Sequence, residues 1–493
     1  MLTYSLNQQD SWDFACLSRD FNPLHVDPVA ARRLQFGGTV CHGVHLVLKA
    51  LDLAVAAECF EPAEIESITA VFSGSARTGC VVDLEVNSET ERSRIRFAAS
   101  SEGRALFTMT ISLAGSRPVG PLPLDREPAK REAPVSWHFP DIGSESITLS
   151  SVDLRMNSTL FRDLFPSLAN RPLGPHLTAD LLATTEIVGM KCPGLHSIYS
   201  EFKLRRREHD PARRETRMSY AIDRVDPRFR SVRLSVTGGT FEGTLNTFFR
   251  APAVKQIMLS ELADRVAPGR FVGQRALVVG GSRGLGELVS KILLAGGADV
   301  TLSYVHGRED AERVQAEALE IGAQVRIFAL DAGSPIPESA RRMIRELGLS
   351  HLYYLATPYI GKQAPHSWSP SLFNNYCQVY VHGFKAVVEA AITSDAASRK
   401  LTVLYPSSIF LDRAEAGFAE YCAAKAAGEL LCDHLALQPG VTVGKPRLPR
   451  MQTDQNSSFM GVEGHDPVPI MLELLLSIHA TKSVSATGTN DQT

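Results

Sequence analysis

The stretch SRDFNPLHVD concentrates groups that can move protons in one short loop. Asp20, Asn22, His25 and Asp27 lie within eight residues, and Pro23 stiffens the backbone between them. A positioned carboxylate–imidazole pair can supply both a general base and a general acid. Asp20 and His25 are therefore candidate catalytic residues.

A second group of candidate residues lies in the C-terminal half. The segment VVGGSRGLGE follows an apolar, strand-like run and opens a helix, where glycines let the backbone approach a pyrophosphate at the helix N-terminus. Further on, Tyr421 and Lys425 are four residues apart, a spacing that puts both on one helix face. A nearby ammonium stabilises a phenolate and brings a proton donor with a pKa of about 10 closer to the working pH.

Two blocks of the sequence share one order of elements that would position the first group. The helix-like HGVHLVLKALDLAVA precedes about four strand-like segments, and the helix-like LGPHLTADLLATTEI precedes another four. Aligning Gly43 with Gly174 places Phe72 within one residue of Phe202. The pattern predicts a duplicated α+β unit in which each antiparallel sheet wraps one helix. Chance similarity of two α+β segments is the alternative.

A different pattern begins near residue 273. Apolar strand segments alternate with helical segments of about 12 to 15 residues, which predicts a parallel, doubly wound α/β sheet. Two segments rich in proline and charge, AGSRPVGPLPLDREPAKREAPVS and APAVKQIMLSELADRVAPGRFV, are predicted connections between blocks.

The spacing D-x-N-P-x-H-x-D with a trailing H-G pair resembles the motif of the MaoC-like, hotdog-fold (R)-specific enoyl-CoA hydratases and dehydratases, over roughly residues 10–115. The resemblance implies that Asp20 and His25 hold and activate the water that adds across the 2,3 double bond of an acyl thioester. Asn22 would cap the loop or hold the water. The backbone N–H of Gly43, at a helix N-terminus, would stabilise negative charge on the thioester oxygen. The alternative is that Asp20 and Asn22 only cap a turn beside a packed histidine.

The second block has no such motif. At the corresponding place it reads LFPSLANRPLGPH. In double-hotdog relatives one half is catalytic and the other helps to form the acyl pocket, so the resemblance implies a structural second half. His176 and His196 are accordingly predicted to have packing or surface roles.

The glycine-rich loop together with YCAAK and LYPSSIF resembles the short-chain dehydrogenase/reductase family over roughly residues 270–460. The resemblance implies that Tyr421 exchanges a proton with the carbonyl or hydroxyl oxygen, that Lys425 lowers the pKa of Tyr421 and holds the nicotinamide ribose, and that Ser408 orients the substrate. The implied cofactor-binding residues are Gly280, Ser282, Arg283, Gly284, Leu285, Gly286, Asp331, Tyr421 and Lys425.

Some positions depart from that family. The sequence has Ala356-Thr357-Pro358 in place of the family's Asn-Ala-Gly, and Tyr380 in place of the asparagine that supports the proton relay. These departures leave nucleotide binding as the prediction and leave open whether the reductase is fully active.

The end of the second strand of this block bears on cofactor choice. Ser303 and Tyr304 occupy the place where an acidic residue would bind the ribose hydroxyls of NAD. Arg283, with His306 or Arg308 nearby, could bind a 2'-phosphate. The sequence therefore favours NADP (NADPH) over NAD.

The composition excludes several classes of protein. A net charge of −3 with 21% charged residues argues against nucleic acid or an anionic membrane as the main partner. Eight cysteines without a CxxC pair or metal-ligand spacing favour free thiols in a reducing compartment and no bound metal. The sequence shows no secretory signal and no apolar run approaching about 20 residues. We predict a cytoplasmic protein.

Taken together, the resemblances predict a bifunctional enzyme acting on acyl-CoA or acyl-carrier-protein thioesters, with the family resemblance implying a homodimer. One site would reduce a 3-oxoacyl thioester to the (3R)-hydroxyacyl thioester with NADPH, and the other would interconvert the (3R)-hydroxyacyl and trans-2-enoyl thioesters, in fatty-acid or polyketide-like biosynthesis.

The alternatives are the (R)-specific β-oxidation direction, a hydratase beside a degenerate nucleotide-binding module, and a reductase of a non-thioester substrate. Acyl length, carrier and pathway remain open.

The predicted organisation is multidomain: an α+β double hotdog followed by an α/β Rossmann-type doubly wound parallel sheet. Its segments are 1–115, the catalytic hotdog; 116–136, a linker; 137–250, the second hotdog; 251–272, a linker; 273–480, the Rossmann-type reductase domain; and 481–493, a disordered tail.

Overall fold

Antiparallel strands dominate the first half of the chain and parallel strands the second. The computed structural model describes residues 2–34, 36–88, 93–115, 122, 124–125, 129–139, 141–143, 145–208, 216–363, 366–392, 400–454, 457–458, 461–462 and 464–480. It divides into two compact units, the first formed by Met1–Pro252 with Ser458–Gly461 and the second by Ala253–Ser457 with Val462–Thr493. Much of the predicted linker at 116–136 and the whole predicted tail at 481–493 lie outside the described residues, and the domain boundaries stay predictions.

The first unit contains one long helix for each of its two halves, as the sequence predicts. Its strands are β1 (Leu2–Ser5), β2 (Ile65–Phe72), β3 (Val81–Ser88), β4 (Arg94–Ser101), β5 (Arg104–Leu113), β6 (Leu124–Asp125), β7 (Ser150–Asp153), β8 (Met156–Asn157), β9 (Ser197–Arg206), β10 (Arg217–Asp226), β11 (Ser231–Gly238) and β12 (Phe241–Phe249). Its helices are α1 (Gln8–Ser18), α2 (Pro23–Val26), α3 (Pro28–Ala31), α4 (Gly43–Ala56), α5 (Ser158–Leu164), α6 (Pro166–Ala169) and α7 (Gly174–Glu186), with a π-helical turn at Ile187–Lys191 and a 3-10 turn at Pro62–Glu64.

Ten of these strands form one sheet in the order β1-β3-β4-β5-β2-β9-β12-β11-β10-β7. The two halves join where β2 pairs antiparallel with β9, from Ser67 opposite Arg205 to Val71 opposite Glu201. The rings of Phe72 and Phe202, which the sequence alignment places within one residue of each other, lie 6.1 Å apart near this seam. The predicted hotdog-like antiparallel architecture is confirmed.

Helix α4 shows why the first half folds around it. Val44, Leu48, Leu51 and Val55 recur at spacings of three and four residues and are fully buried in the core of the first unit. Such a stripe packs against a sheet because burial removes its apolar surface from water.

The second unit follows the predicted α/β alternation, and its strand order identifies where a ligand would bind. The sheet is entirely parallel in the order β15-β14-β13-β16-β17-β19, and the order reverses between β13 and β16. Ligands of such sheets bind outside the carboxyl ends of the strands at this reversal. The strands are β13 (Arg275–Val279), β14 (Asp299–Tyr304), β15 (Val325–Ala329), β16 (His351–Tyr354), β17 (Leu401–Leu404), β18 (Ser407–Ser408), β19 (Val441–Gly444), β20 (Arg447–Leu448), β21 (Ser457–Ser458) and β22 (Gly461–Val462).

Helices alternate with the strands along this part of the chain. They are α8 (Leu259–Ala263), α9 (Gly284–Ala295), α10 (Arg308–Glu320), α11 (Glu338–Glu346), α12 (Pro370–Cys377), α13 (Phe384–Ala391), α14 (Ala419–Leu435) and α15 (Pro467–Ala480), with a π-helical turn at Gln378–Gly383 and a 3-10 turn at Ile409–Leu411. None of the helices in the described part of the chain has both the length and the apolar character needed to cross a membrane.

Candidate active sites

The segment that the sequence presents as an irregular loop contains a helical turn. Asn22 caps α2, because its side-chain oxygen accepts a hydrogen bond from the backbone N–H of Leu24 at 3.2 Å and Pro23 occupies the first helical position. This turn brings residue 25 back toward residue 20, which a fully extended loop would not do.

Asp20 lies just before that turn and is 2% exposed. Its Oδ1 accepts from the backbone N–H of Asn22 at 3.2 Å, and its Oδ2 accepts from the hydroxyl of Thr185 at 2.7 Å. Burial raises the pKa of Asp20, while His25 and these two hydrogen bonds act in the opposite direction. The carboxylate is thus held in one orientation in a site of low polarity.

A hydrogen bond fixes one ring nitrogen of His25, and no described residue forms a hydrogen bond with the other. Its Nδ1 donates to the carbonyl of Val40 at 2.8 Å, so in the neutral ring Nε2 carries the lone pair. Burial lowers the pKa of His25, the charge of Asp20 raises it, and the charge of Arg250 lowers it. A neutral imidazole beside a carboxylate can accept a proton from a water molecule.

His42 supports this pair from the start of α4. Its ring stacks on that of His25 with centroids 3.8 Å apart, and its Nε2 donates to the backbone carbonyl of Asp20 at 3.0 Å. Burial holds the pKa of His42 well below its ordinary value, so this ring is neutral.

Asp20, His25 and His42 place potential metal-ligand atoms within 4.8 Å of one another. The two imidazole planes are only 26° apart and stacked, however. A metal ion bound by histidine lies in the plane of the ring, about 2 Å from the ligating nitrogen. One ion cannot meet this condition for two stacked rings at the same time. Acid–base chemistry therefore stays the prediction for this group.

The structure gives Asn22 and Gly43 different surroundings. The Asn22 amide donates to the carbonyls of Gly189 at 3.0 Å and Gly194 at 3.2 Å, so its described contacts position the loop, and a direct contact with water stays a prediction. Gly43 begins α4, where backbone N–H groups have no acceptor within the helix. A Cβ at Gly43 would lie 2.8 Å from the ring of Phe72, which explains the need for glycine at this helix end.

Sequence reasoning missed the contribution of the second half to this site. Thr185 lies near the end of α7, and the π-helical turn that follows places Gly189 so close to Asp20 that a Cβ would lie 2.3 Å from its Oδ1. Arg19 forms an ion pair with Glu186 at 2.6 Å and so ties the residue before Asp20 to the same helix. The half without the motif therefore holds the side chain of Asp20 in place.

We expect Thr185→Val to move the acid limb of the pH profile of the enoyl-thioester hydration proposed below to higher pH by about one unit or more. The Thr185 hydroxyl stabilises the ionised form of Asp20, so its loss raises the pKa of Asp20 and requires higher pH to deprotonate it. The measurement is kcat/KM against pH, with Thr185→Ser expected to restore the wild-type profile.

The neighbouring Thr184→Val is the matched control for Thr185, because the Thr184 hydroxyl donates to Leu181 O within its own helix. An unchanged acid limb in Thr185→Val, or an equal shift in both valine variants, would show that Thr185 does not tune Asp20.

The glycine-rich loop of the second unit has the geometry that phosphate binding requires. Gly280 and Gly284 have φ of +75° and +56°, and a Cβ at Gly286 would lie 2.0 Å from the carbonyl of Gly280. Ser282 is buried in the loop, and Leu285 in the first turn of α9 packs against the core. The loop opens α9 after β13, so its N–H groups are available to an anion at the helix N-terminus.

The residues predicted to select the cofactor have partners within the unit. Arg283 forms an ion pair with Asp454, Nη1 to Oδ2 at 3.2 Å. Ser303 is buried and its hydroxyl accepts from the backbone N–H of Gly280 at 3.2 Å, so it supports the loop. The Asp331 carboxylate accepts from the backbone N–H of Gly333 and the hydroxyl of Ser334.

Tyr421 and Lys425 lie on α14, and Ser408 lies at the end of β18. Burial raises the pKa of Tyr421 to about 12, and a hydrogen bond with Ser408 acts in the opposite direction. Lys425 Nζ donates to the carbonyl of Pro406 at 2.8 Å, and burial lowers the pKa of Lys425 to about 7. The structure thus brings Ser408 to Tyr421, while a pKa effect of Lys425 on Tyr421 stays a prediction.

Aromatic rings surround the ammonium of Lys425. Its Nζ lies 4.0 Å from the ring centroid of Tyr380 and 4.7 Å from that of Tyr405. Tyr380 lies in the π-helical turn, its hydroxyl pairs with that of Thr357, and its carbonyl accepts from the hydroxyl of Tyr405 at 3.2 Å. Two departures from the family pattern, at positions 357 and 380, are therefore in contact. The rings of Tyr380 and Tyr405 contact the ammonium of Lys425 by cation–π interactions.

The two units define a protein that carries a hotdog-like antiparallel region with a buried Asp–His pair and a Rossmann-like parallel region with a Ser–Tyr–Lys group. Residues 2–103 match the family model of the MaoC like domain, and residues 274–454 match that of short chain dehydrogenase. The chain therefore contains a MaoC like domain and a short chain dehydrogenase domain, as the sequence motifs predict.

Individual relatives match only parts of the chain. General stress protein 39 of Bacillus subtilis is 29% identical over 105 residues, covering 20% of this chain and 37% of that protein. Versicolorin reductase 1 of Aspergillus parasiticus is 34% identical over 86 residues, covering 17% of this chain and 32% of that protein. The matched segments thus span about a third of the length of these curated relatives.

Solved structures of short chain dehydrogenases also resemble part of the chain. One from Burkholderia cenocepacia in complex with NADP has 23% identity and a TM-score of 0.38, covering 42% of this chain and 91% of that chain. Another from Escherichia coli CFT073, complexed with NADPH, has 22% identity and a TM-score of 0.39, covering 43% and 93%.

Proposed function

We propose that this protein is a bifunctional enzyme of acyl thioesters. Its first unit interconverts (3R)-hydroxyacyl and trans-2-enoyl thioesters, and its second reduces 3-oxoacyl thioesters to (3R)-hydroxyacyl thioesters with NADPH. The two reactions share the (3R)-hydroxyacyl thioester, so together they form two consecutive steps of fatty-acid or polyketide-like chain building.

The observation that carries the proposal is the placement of Asp20 beside His25, whose pKa is lowered and whose Nε2 has no hydrogen bond to a described residue. The same chain places Ser408 beside Tyr421. Hydration needs a base for the water proton and an acid for the α-carbon, and the first pair supplies both. Ketone reduction needs a proton donor for the carbonyl oxygen, and Tyr421 is protonated at neutral pH because burial raises its pKa to about 12.

The test is a parallel assay on the full-length protein with acetoacetyl-CoA, longer 3-oxoacyl-CoAs and crotonyl-CoA, and with the corresponding carrier-protein thioesters. NADPH absorbance reports reduction, and the ultraviolet absorbance of the enoyl thioester reports hydration. Oxidation of NADPH coupled to formation of the enoyl band supports both activities. Hydration without nicotinamide turnover on any thioester supports instead a hydratase beside a degenerate reductase.

The direction of flux follows from the preferred cofactor. We expect Arg283→Gln to weaken NADPH binding by about 10-fold or more and to leave NADH binding within about threefold, because the lost guanidinium would pair with a 2'-phosphate. Asp454→Asn is expected to tighten NADPH binding, since Asp454 Oδ2 competes for Arg283 Nη1 at 3.2 Å. Fluorescence titration with each nucleotide measures both effects.

Arg326→Gln is the control for Arg283, because Arg326 pairs with Asp299 through an exposed ion pair on β15. NADH binding tighter than NADPH in the wild type would favour the oxidative, (R)-specific β-oxidation direction. If Arg283→Gln weakens the binding of NADPH and NADH equally, Arg283 does not select between them.

A further inference from the structure

Arg250 is a buried arginine that has no carboxylate partner among the described residues. It follows β12, is 3% exposed, donates through Nη2 to the carbonyl of Leu195 at 2.6 Å, and its Nε has no hydrogen-bond partner. Burial lowers the pKa of Arg250 to about 10, so the side chain stays charged at neutral pH. A buried charge is costly unless a counter-charge compensates it.

Two further basic groups adjoin Arg250. The backbone N–H of Arg250 donates to the carbonyl of His196 at 2.8 Å, and that of Phe249 donates to the carbonyl of Arg230 at 2.7 Å. The guanidinium of Arg230 lies over the rings of Phe139 and Phe249, at 5.2 and 5.8 Å. Arg230 Nε and His196 Nδ1 are also buried and have no hydrogen-bond partner within the described ranges. We call Arg230, His196 and Arg250 the basic cluster.

The basic cluster lies beside the catalytic loop. The Leu195 carbonyl that accepts from Arg250 also accepts from the side-chain amide of Asn22 at 3.4 Å. The charge of Arg250 contributes to the low pKa of His25, which places the guanidinium within electrostatic reach of the catalytic imidazole. A group bound to the cluster would therefore belong to the molecule that reacts at His25.

We propose that the basic cluster binds an oxyanion carried by the acyl-thioester substrate, an inference that rests on the proposed hydratase function. Two guanidinium groups and an imidazole offer several N–H donors, whereas the single oxygen of a thioester enolate needs only one or two. A carboxylate or a phosphate has enough oxygens to engage several donors, and bidentate geometry suits arginine to both. The carboxylate would come from the acyl chain and the phosphate from the carrier arm.

Matched thioesters distinguish these two sources. Glutaconyl-CoA and pent-2-enoyl-CoA differ by a terminal carboxylate in place of a methyl group, and pent-2-enoyl-phosphopantetheine and pent-2-enoyl-pantetheine differ by one phosphate. We expect Arg250→Met to lower kcat/KM for the anion-bearing member of one pair by at least about 30-fold and for its partner by less than about threefold. The pair whose two members lose kcat/KM unequally identifies the source of the oxyanion.

Arg205→Met on β9 is the matched control, because Arg205 is exposed and pairs with Glu242 at 3.4 Å. Arg230→Gln provides a second variant of the cluster should Arg250→Met fail to fold. Equal losses on all substrates in the cluster variants, or no loss on any, would overturn the proposal.

The failure of the proposed function would be distinguishable from the failure of this inference. If the wild type hydrates no enoyl thioester, thermal unfolding with inorganic phosphate or glutarate tests the cluster alone. A rise in Tm that disappears in Arg250→Met but persists in Arg205→Met would support an anion site. The absence of any rise in the wild type would count against it.

Discussion

Asp20→Asn is expected to lower kcat for hydration of crotonyl-CoA by about 10²- to 10⁴-fold while nicotinamide turnover stays at the wild-type level. The amide has the shape of the carboxylate and can keep the hydrogen bond with Thr185, but it cannot accept the proton or stabilise a protonated His25. The loss of enoyl absorbance measures the first activity, and NADPH oxidation with a 3-oxoacyl thioester measures the second.

Asp13→Asn is the control for Asp20, because Asp13 lies on α1 and accepts from Gln9 at 2.9 Å on the helix surface. It should hydrate crotonyl-CoA at the wild-type rate. Full hydration by Asp20→Asn would mean that the buried carboxylate only caps the turn, which is the alternative that the sequence leaves open. Loss of both activities would indicate misfolding, and circular dichroism would separate that case.

The features of the first site that depend only on residues close together in the chain could be predicted from the sequence. Asn22 and Pro23 make a capped helical turn, and this turn suffices to bring Asp20 and His25 together. The partners of Asp20 in the other half could not be predicted in this way. Thr185 is 165 residues distant, and its contact with Asp20 depends on packing of the two halves and on a π-helical turn that no propensity specifies.

In the second site, too, features built from neighbouring residues could be predicted and contacts between distant residues could not. The turn at Gly280 and the face shared by Tyr421 and Lys425 follow from local geometry and could be predicted. The partner of Arg283 is Asp454, in a segment whose family resemblance is loose, and no sequence signal indicates that contact. Nor did it indicate that Tyr380 faces Lys425, because a π-helical turn changes the side-chain register that an ordinary helix would set.

Tyr421→Phe is expected to lower kcat for NADPH-dependent reduction by about 10²- to 10⁴-fold and to leave hydration of crotonyl-CoA unchanged. The phenol is the proton donor of the proposed reaction, and phenylalanine keeps the ring contacts with Tyr376 and Tyr380 at 5.9 Å while removing that proton. Tyr353→Phe is the matched control, since the Tyr353 hydroxyl donates to Gln274 at 2.9 Å.

The pH dependence of the wild type tests the same assignment. Because the pKa of Tyr421 is raised to about 12, the phenol is protonated at neutral pH, and this form favours reduction. Oxidation of a 3-hydroxyacyl thioester should become faster as rising pH forms the phenolate.

Lys425, with a pKa lowered to about 7, loses its charge as the pH rises through 7, so its contribution to nucleotide binding should fall above that pH. If NADPH binding weakens above pH 7 in the wild type but not in Lys425→Met, the charge that supports nucleotide binding belongs to Lys425. Reduction that persists in Tyr421→Phe would instead require another donor, and Tyr380, whose hydroxyl pairs with Thr357, would be the next residue to replace.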